Sequence, residues 1–332
     1  MRTPEFWYET EPTVLARALK PAGCLLQCAG RLRNATARSW QAFVPVLCVG
    51  NAVAGGAGKT PVAQSLARLL IERGRKPHFL SRGYGGSLGG PVRVDPARHT
   101  SKDVGDEALL LARIAPTWVA RNRRKGCQAA TLDDADVIVM DDGLQNPGIH
   151  KTVSLLVVDG TYGFGNHCLL PAGPLREPVE QALARADAVA ILGADQAGVT
   201  AEIKALDPAK PVLHARLAPG PDADRLPGQR VLAFAGIGLP EKFFAQLRVL
   251  GCEIAATRAF ADHHAYTARD IAALREQAEA LNARLITTEK DAVRLSDESR
   301  RGVIVLPVSV VWQDEFAVED ILDMLFPAPS TP

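Results

Sequence analysis

The chain has 332 residues, of which 47% are hydrophobic and 23% are charged, and its formal net charge is +1 at pH 7. This composition excludes a disordered chain, and the small net charge provides no global basic field, so no nucleic-acid partner is expected. The length allows a large core and predicts a soluble α/β protein of two domains. The six cysteines show no metal-ligand spacing, which predicts free thiols in a reducing cytoplasm.

The first 40 residues are predicted to form amphipathic, basic helices. Leucines and basic side chains are interspersed over residues 12–38, and Pro21 is predicted to divide this segment into a pair of helices. Composition leaves two interpretations open, because such helices can pack on a domain or lie in a membrane interface. We expect no spanning helix, which needs about 20 mostly apolar residues, and no secretory signal.

Residues 46–61, VLCVGNAVAGGAGKTP, have the pattern of a phosphate-binding loop between a buried strand and a helix. In that context the backbone N–H groups of the loop and the positive end of the helix converge on a polyphosphate. Lys59 is predicted to reach the β and γ phosphates of ATP, and the Thr60 hydroxyl to hold Mg²⁺. Val53 stands where the pattern has glycine. The predicted nucleotide-binding residues are Gly55, Gly56, Ala57, Gly58, Lys59 and Thr60.

The next predicted strand, residues 77–80, leads into the glycine-rich run SRGYGG. This run is typical of an adaptable turn, and it equally allows Arg82 to bind an anionic group through its guanidinium fork. The acidic residues 106 and 107 open a helix, where such residues often serve only as caps and dipole partners. The basic run at residues 123–125 is interpreted as a solvated helix face.

Residues 136–143, DVIVMDDG, predict a buried parallel strand that brings Asp141 and Asp142 to the carboxyl edge of the sheet. Two adjacent buried carboxylates are costly unless a cation neutralises them, which predicts Mg²⁺ at one or both. Residues 160–178 form a long loop rich in glycine and proline, and such loops are usually functional or mobile.

Strands and helices alternate over residues 46–206, which predicts a P-loop NTPase-like, mostly parallel sheet with helices on both faces. A smaller C-terminal α/β domain is expected to contain a strand at residues 303–310. The predicted divisions are helices at 1–40, a P-loop domain at 41–206, a proline-rich linker at 207–229 around one extended segment at 212–217, and the second domain at 230–332.

Two other classes of nucleotide-binding protein are disfavoured. A GTPase needs an [NT]-K-x-D element, and the run TEKD at residues 288–291 has its lysine misplaced. Dimerising ATPases carry a lysine before the paired glycines, where this chain has Ala54. An ATP phosphoryl transferase with its own acceptor site remains. The run Asp-His-His at residues 262–264 is suitable for a base or a metal site in such an enzyme.

The motifs together resemble the tetraacyldisaccharide 4′-kinase family of lipid A biosynthesis. Seven pieces occur in the order of that family: VGN…GGAGKTP (49–61), LSRGYG (80–85), VGDEA (104–108), DDGLQ (141–145), GPLRE (173–177), FADHHAY (260–266) and TTEKDAVRL (287–295). The resemblance implies transfer of the γ-phosphate of ATP to the 4′-hydroxyl of an acylated glucosamine disaccharide 1-phosphate. It also implies a location at the cytoplasmic face of the bacterial inner membrane, with the N-terminal helices as the membrane-associating element.

The resemblance implies a base formed by Asp106 and His263, which act in catalysis with Lys59. Asn146 stands where the family often has histidine, so the role of that side chain does not carry over. Two alternatives stay open: a P-loop kinase of a soluble sugar or nucleoside, and a non-catalytic ATP switch that docks on membranes. The remaining predicted residues are Arg82, Asn166 and Arg176 for substrate, and Thr60, Asp141, Asp142 and Glu177 for Mg²⁺.

Overall fold

The structure is a computed structural model that describes residues 4–9 and 11–327. The ends of the predicted 1–40 and 230–332 segments therefore lie outside the described residues. The helices are α1 (Val14–Thr36), α2 (Lys59–Glu72), α3 (Ser101–Val104), α4 (Asp106–Leu111), α5 (Arg123–Leu132), α6 (Val179–Arg185), α7 (Val199–Leu206), α8 (Pro240–Val249), α9 (Ala268–Ala280), α10 (Glu289–Ala292), α11 (Asp297–Arg300) and α12 (Glu315–Asp323). The strands are β1 (Val46–Gly50), β2 (Pro77–Ser81), β3 (Val92–Arg93), β4 (Thr117–Val119), β5 (Val137–Asp141), β6 (Val153–Asp159), β7 (Ala188–Leu192), β8 (Val212–Pro219), β9 (Arg230–Ala235), β10 (Glu253–Ala259), β11 (Arg284–Thr288), β12 (Ile304–Leu306) and β13 (Val308–Trp312).

A nine-stranded sheet in the order β13-β8-β7-β6-β1-β5-β2-β4-β3 forms the larger part of the molecule. Its seven inner strands are parallel, and the edge strands β3 and β13 are antiparallel. Successive residues of a strand face opposite sides, so Leu47 and Val49 pack in one core cluster with α2, and Cys48 in another with α6 and α7. The predicted mostly parallel sheet with helices on both faces is confirmed.

The position of β1 between β5 and β6 creates the site at the carboxyl edge of this sheet. The register pairs Val49 with Asp141, so the loop after β1 and the acidic pair after β5 leave the sheet side by side. Strand β2 lies on the far side of β5, and β4 follows it. The turns after β1, β2, β4 and β5 therefore open onto one edge of the sheet, which is where open α/β sheets bind ligands.

A second sheet of four parallel strands has the order β10-β9-β11-β12. Helices α8 and α9 cover its two faces, with Phe244 and Leu247 in one core cluster and Ile271 and Leu274 in the other. We call residues 40–219 together with 308–326 the first lobe, and residues 221–306 the second lobe.

The end of the chain departs from the sequence-based expectation. The strand predicted at residues 303–310 is two strands in different sheets, and Pro307, which has no N–H group to donate, lies between them. Strand β13 pairs with β8, which lies inside the predicted 207–229 linker. The chain thus crosses between the lobes at Gly220 and again at Pro307. These crossings touch, since the Gly220 N–H donates to the Pro307 carbonyl at 2.9 Å.

Helix α1 is one continuous helix of 23 residues that contains Pro21, and the expected pair of helices is wrong. The Thr13 side chain caps its start by accepting from the Ala16 N–H. None of the described helices is long and apolar enough to cross a bilayer. The small residues Ala16 and Gly23, two turns apart, face the body of the protein, where a Cβ on Gly23 would lie 3.2 Å from Leu169 Cβ.

Candidate active site

The loop after β1 ends at Gly58, a position that favours glycine. Gly58 has a left-handed φ of 79° and precedes α2, and a Cβ there would collide with the Leu192 side chain. Lys59 and Thr60 are the first two residues of that helix. The unpaired N–H groups at the start of α2 therefore lie beside these two side chains, as an anion-binding site requires.

Val53 replaces a glycine of the phosphate-loop pattern because it is the bridging residue of a small antiparallel pair. It bridges Leu175, while the Ala54 N–H donates to the Pro174 carbonyl at 2.7 Å. The Arg176 N–H donates to the Ala52 carbonyl at 2.8 Å. Residues 174–176 of the GPLRE segment therefore pair with residues 52–54, the first half of the phosphate-binding loop.

The hydroxyl of Thr60 donates to Asp141 Oδ2 at 3.1 Å. Asp141 is only 4% exposed, and its Oδ1 is buried without a hydrogen-bond partner in the described part of the chain. Burial raises the pKa of this carboxyl to about 7, against the opposing effect of Lys59. A buried, unpartnered acceptor oxygen beside a phosphate-binding loop fits Mg²⁺, which proteins usually bind through one or two carboxylates plus substrate phosphates.

Asp142 has a different environment from its neighbour. Its φ is 54°, and its Oδ1 lies 2.8 Å from Arg176 Nη1 and 3.8 Å from Lys59 Nζ. Burial alone would raise the pKa of Asp142, but these two cations outweigh burial and lower it. The structure therefore gives the two carboxylates separate partners: a hydroxyl for Asp141 and cations for Asp142.

Two other predicted site residues, Asn166 and Glu177, make their described contacts away from Thr60. The buried Asn166 side chain donates to the carbonyls of Phe6 and Ala172 and accepts from the Cys168 N–H, which leaves it no free group for substrate. Glu177 Oε1 accepts from Gln145 Nε2 at 2.9 Å, while Oε2 forms an ion pair with Arg185 Nη2 at 2.8 Å and accepts no hydrogen bond within the described residues. Neither residue joins the cluster around Thr60.

Asn146 and His264, which sequence analysis also left open, have local roles. Asn146 Oδ1 accepts from the Gly148 N–H at 2.8 Å and so shapes its own turn. The His264 ring stacks on Phe260 and lies 3.1 Å from Asp270, which completes the capping box of α9 with Thr267. The paired histidines of the Asp-His-His run are therefore not equivalent, and no cluster of three metal-ligating side chains occurs among residues 4–9 and 11–327.

An arginine near the acidic pair was missed by sequence analysis. Arg123 is only 6% exposed, so the expectation of a solvated face is wrong for it, and its Nη1 donates to the Ala120 carbonyl at 2.6 Å. Burial and the charge of the exposed Arg82 lower the pKa of Arg123 to about 10, while the two aspartates oppose this shift. The available signal was its position, because a residue that follows β4 lies at the same sheet edge as Asp141.

A second polar cluster joins the two lobes. Asp106 Oδ2, at the start of α4, lies 2.9 Å from Nδ1 of His263, which comes from the second lobe and has a left-handed φ of 57°. Lys290 Nζ lies 3.3 Å from Nε2 of the same ring. Because an ammonium only donates, Nε2 accepts, and the ring proton is on Nδ1 and points to Asp106.

Glu107 connects the two clusters. Its carboxylate lies 3.0 Å from Lys290, and its charge acts on both Lys59 and Asp141. Glu107 therefore contacts the cluster of the base candidates through Lys290 and acts by its charge on the phosphate-binding residues. This arrangement can hold a polyphosphate and a hydroxyl group close together.

A family model described as "Tetraacyldisaccharide-1-P 4'-kinase" matches residues 15–326. The chain belongs to this family. The match confirms the family resemblance that was inferred from the seven motifs, and it makes this protein a kinase.

Curated relatives extend over nearly all of the chain. A protein named tetraacyldisaccharide 4′-kinase from Rhodospirillum centenum is 52% identical over 97% of this chain and 96% of its own length. One of the same name from Paramagnetospirillum magneticum is 51% identical over 98% and 99%. The solved structure of LpxK from Aquifex aeolicus in complex with ATP has a TM-score of 0.74 and 25% identity, and covers 94% of this chain and 100% of that one.

Proposed function

We propose that this protein transfers the γ-phosphate of ATP to the 4′-hydroxyl of tetraacyldisaccharide 1-phosphate, which gives lipid IVA. The observation that carries the proposal is the contact between Asp106 and His263, in a member of this kinase family, beside an intact phosphate-binding loop. A base at that position is what separates a kinase of a hydroxyl acceptor from an ATP switch.

The residues from Gly55 to Thr60 bind the phosphates of the nucleotide in this proposal, and the ATP complex of the Aquifex relative supports ATP as that nucleotide. Lys59, whose side chain is 12% exposed, places its ammonium where phosphate charge develops. Thr60 and Asp141 would hold Mg²⁺, which neutralises the charge on the transferring phosphoryl group. Arg176 and Asp142 form an ion pair that keeps the Lys59 ammonium in place.

Asp106 accepts the proton of the sugar hydroxyl in the proposed reaction. His263 donates its Nδ1–H to Asp106 Oδ2, which orients the carboxylate and stabilises its charge. Of the two oxygens, Oδ1 makes no hydrogen bond with residues 4–9 and 11–327, so it is the one available to the hydroxyl. A hydroxyl is a weak nucleophile at neutral pH, and positioned proton acceptance contributes about 10² to 10⁴ in rate.

Contacts between the lobes surround the proposed site. Besides the Asp106 cluster, Lys242 of the second lobe lies 2.6 Å from Asp159 at the end of β6 and over the ring of Tyr162. Proton acceptance by Asp106 in concert with His263 requires the lobes to be together. The chemistry is thereby confined to the state in which the site excludes water, which protects ATP from hydrolysis.

Helix α1 is proposed to lie in the cytoplasmic face of the inner membrane and to bring the enzyme to its lipid acceptor. Its three faces differ: Ala16 and Gly23 pack on the protein, a second face is basic, and a third is apolar and exposed. Exposed leucines next to basic residues suit the boundary between acyl chains and anionic headgroups. The exposed apolar residues are Val14, Leu15, Leu25, Leu26 and Leu32, and the basic ones are Arg17, Lys20 and Arg31.

The test is transfer of labelled γ-phosphate to detergent-dispersed tetraacyldisaccharide 1-phosphate, with glucosamine 1-phosphate and nucleosides as soluble acceptors. We expect label only in the lipid, and its loss in Lys59→Ala with an unchanged unfolding temperature. Label in a soluble acceptor would indicate a soluble-sugar or nucleoside kinase instead. If no acceptor is phosphorylated although ATP still binds, the protein is a non-catalytic ATP switch.

A further inference from the structure

Arg294 is the most deeply buried charged side chain in contact with the proposed base. It follows α10 in the second lobe, its side chain is 3% exposed, and its Nε donates to Asp106 Oδ2 at 2.6 Å. Its Nη1 donates to the Gly236 carbonyl at 2.8 Å and to Asp291 Oδ1 at 3.0 Å. The guanidinium is thus fixed by its own lobe and reaches into the other.

We propose that Arg294 is a positioning residue for phosphoryl transfer, which holds Asp106 as an oriented carboxylate and keeps the kinase active toward lower pH. The inference rests on the proposed function, in which Asp106 accepts the proton of the acceptor hydroxyl. No role for this arginine follows from the phosphate-binding loop or from the Asp106–His263 contact alone.

The geometry supports positioning because two donors converge on one oxygen. His263 Nδ1 and Arg294 Nε both donate to Oδ2 of Asp106, from different directions and from separate parts of the second lobe. With Oδ2 held by two charge-assisted or polar donors, rotation of the carboxylate is restricted, and Oδ1 keeps one direction. Loss of the guanidinium would leave Oδ2 with a single donor on a loop residue.

The electrostatics supply the pH dependence. Burial alone would raise the pKa of Asp106, but the hydrogen bond from His263 and the charge of Arg294 outweigh burial and lower it. A base works only when deprotonated, so activity falls as pH drops through this pKa. Without Arg294 the pKa of Asp106 rises, and the acidic limb of the rate profile moves to higher pH.

Other charged groups around α4 are paired with each other. Glu107 and Lys290 face one another at 3.0 Å, across α4 and α10. Asp103 at the end of α3 accepts from Thr100, and Lys59 at the start of α2 lies beside Asp142. These pairs leave His263 and Arg294 as the groups that bear directly on Asp106.

A purely structural role for Arg294 makes a different prediction. Asp291 is fully buried, and it accepts from Arg294, from Tyr266 and from the Gly236 N–H. An arginine that only neutralised Asp291 would stabilise the second lobe without affecting proton acceptance. The two roles separate in the pH profile, which a loss of stability alone does not move.

The experiment compares kcat and the ATP KM across pH for the full-length enzyme, Arg294→Gln and Arg294→Lys, with detergent-dispersed lipid acceptor. We expect Arg294→Gln to lower kcat at neutral pH by about tenfold or more, to move the acidic limb to higher pH, and to change the ATP KM little. Arg294→Lys keeps the positive charge but loses the planar guanidinium group. We therefore expect kcat to fall, while the acidic limb of the pH–rate profile stays close to that of the wild type.

Arg275→Gln is the control, because Arg275 is an exposed second-lobe arginine whose hydrogen bonds to the described residues go to the carbonyls of Glu298, Ser299 and Arg301. Loss of Arg275 is expected to lower the unfolding temperature and to leave the acidic limb of the pH–rate profile unchanged. An unmoved limb in Arg294→Gln, or an equal shift in Arg275→Gln, overturns the proposal.

Two further outcomes are decisive. If Arg294→Gln does not fold, wild-type kcat in Arg294→Lys overturns the positioning role, and a lowered kcat with an unmoved limb supports it. If the wild type transfers no phosphate to lipid, the proposed function itself fails. If the wild type is active and Asp106→Asn is equally active, Asp106 is not the base and this inference falls while the kinase function stands. An inactive Asp106→Asn beside an unaffected Arg294→Gln contradicts this inference alone.

Discussion

Thr60 and Asp141 meet at the carboxyl edge of the nine-stranded sheet, 3.1 Å apart from hydroxyl to carboxylate. They come from neighbouring elements: Thr60 from the helix after β1, and Asp141 from the end of β5. The adjacent Asp142 turns toward Lys59 and Arg176 instead. Two consecutive carboxylates thus have different partners: a hydroxyl for Asp141, where we propose Mg²⁺, and two cations for Asp142.

Replacement of the two aspartates should separate these roles. Asp141→Asn is expected to lower kinase activity by about 10²-fold or more and to raise the Mg²⁺ concentration for half-maximal activity, since metal stabilisation of transition-state charge is worth several kcal/mol. Asp142→Asn should affect the Mg²⁺ requirement less. The measurement is a Mg²⁺ titration of phosphate transfer at saturating ATP. A larger metal effect in Asp142→Asn would reverse the assignment.

The Asp106–His263 contact should behave as a single catalytic unit. Asp106→Ala and His263→Ala are each expected to lower kcat by about 10² to 10⁴ with little change in the ATP KM. The double variant should be scarcely worse than either, because residues that act together are non-additive. Single-turnover kinetics of all three variants measure this.

A neighbouring histidine provides the control for that cycle. His264→Ala removes a ring from the same loop that contacts Asp270 rather than Asp106, so kcat should stay close to that of the wild type. Losses that multiply in the double variant would mean that Asp106 and His263 act separately.

Replacement of Arg82 and replacement of Arg123 are expected to change the free energy of unfolding by different amounts. Arg82 is exposed, so Arg82→Ala should raise the KM for a phosphate-bearing ligand and change the free energy of unfolding by less than about 0.5 kcal/mol. Arg123→Ala removes a buried donor to the Ala120 carbonyl and should cost about 1 to 3 kcal/mol. Urea denaturation of both variants checks the difference, and equal stability losses would contradict it.

The apolar face of α1 should determine membrane binding. Replacing Leu25, Leu26 and Leu32 together with serine is expected to move the protein from vesicles to the soluble fraction, since each leucine that enters an apolar phase contributes about 1.5 to 3 kcal/mol. Leu132→Ser, at an exposed leucine on α5, should leave partitioning unchanged. Co-sedimentation with anionic vesicles is the measurement, and unchanged binding of the triple variant would argue against the assignment.

The parts of the site that sequence alone predicted are those encoded locally. The phosphate-binding loop needs only a buried strand, glycines and a helix start in succession, and the strand ending at Asp141 needs only an apolar run before two acids. The Asp106–His263 contact joins residues 157 apart in sequence. It was reached only through the resemblance to a family, because no periodicity places two such distant residues together.

What the sequence left hidden depends on tertiary pairing. Arg123 looks like part of a basic surface run, and only the sheet order shows that β4 brings it to the same sheet edge as the acidic pair. The proline-rich stretch around β8 reads as a linker because its pairing partner β13 lies about a hundred residues later. Pro21 suggested a break, yet helix α1 continues through it. Each outcome reflects tertiary context overriding a local preference.

The adjacent crossings at Gly220 and Pro307 form a two-stranded hinge between the lobes. A single flexible connection would let the second lobe swivel and slide, whereas two short connections held together by a hydrogen bond resist both motions. We expect opening to be a rotation about the line through these two residues. His263 and Arg294 would then leave and return to Asp106, and Lys290 to Glu107, as one rigid group, so the two contacts with the base form and break together.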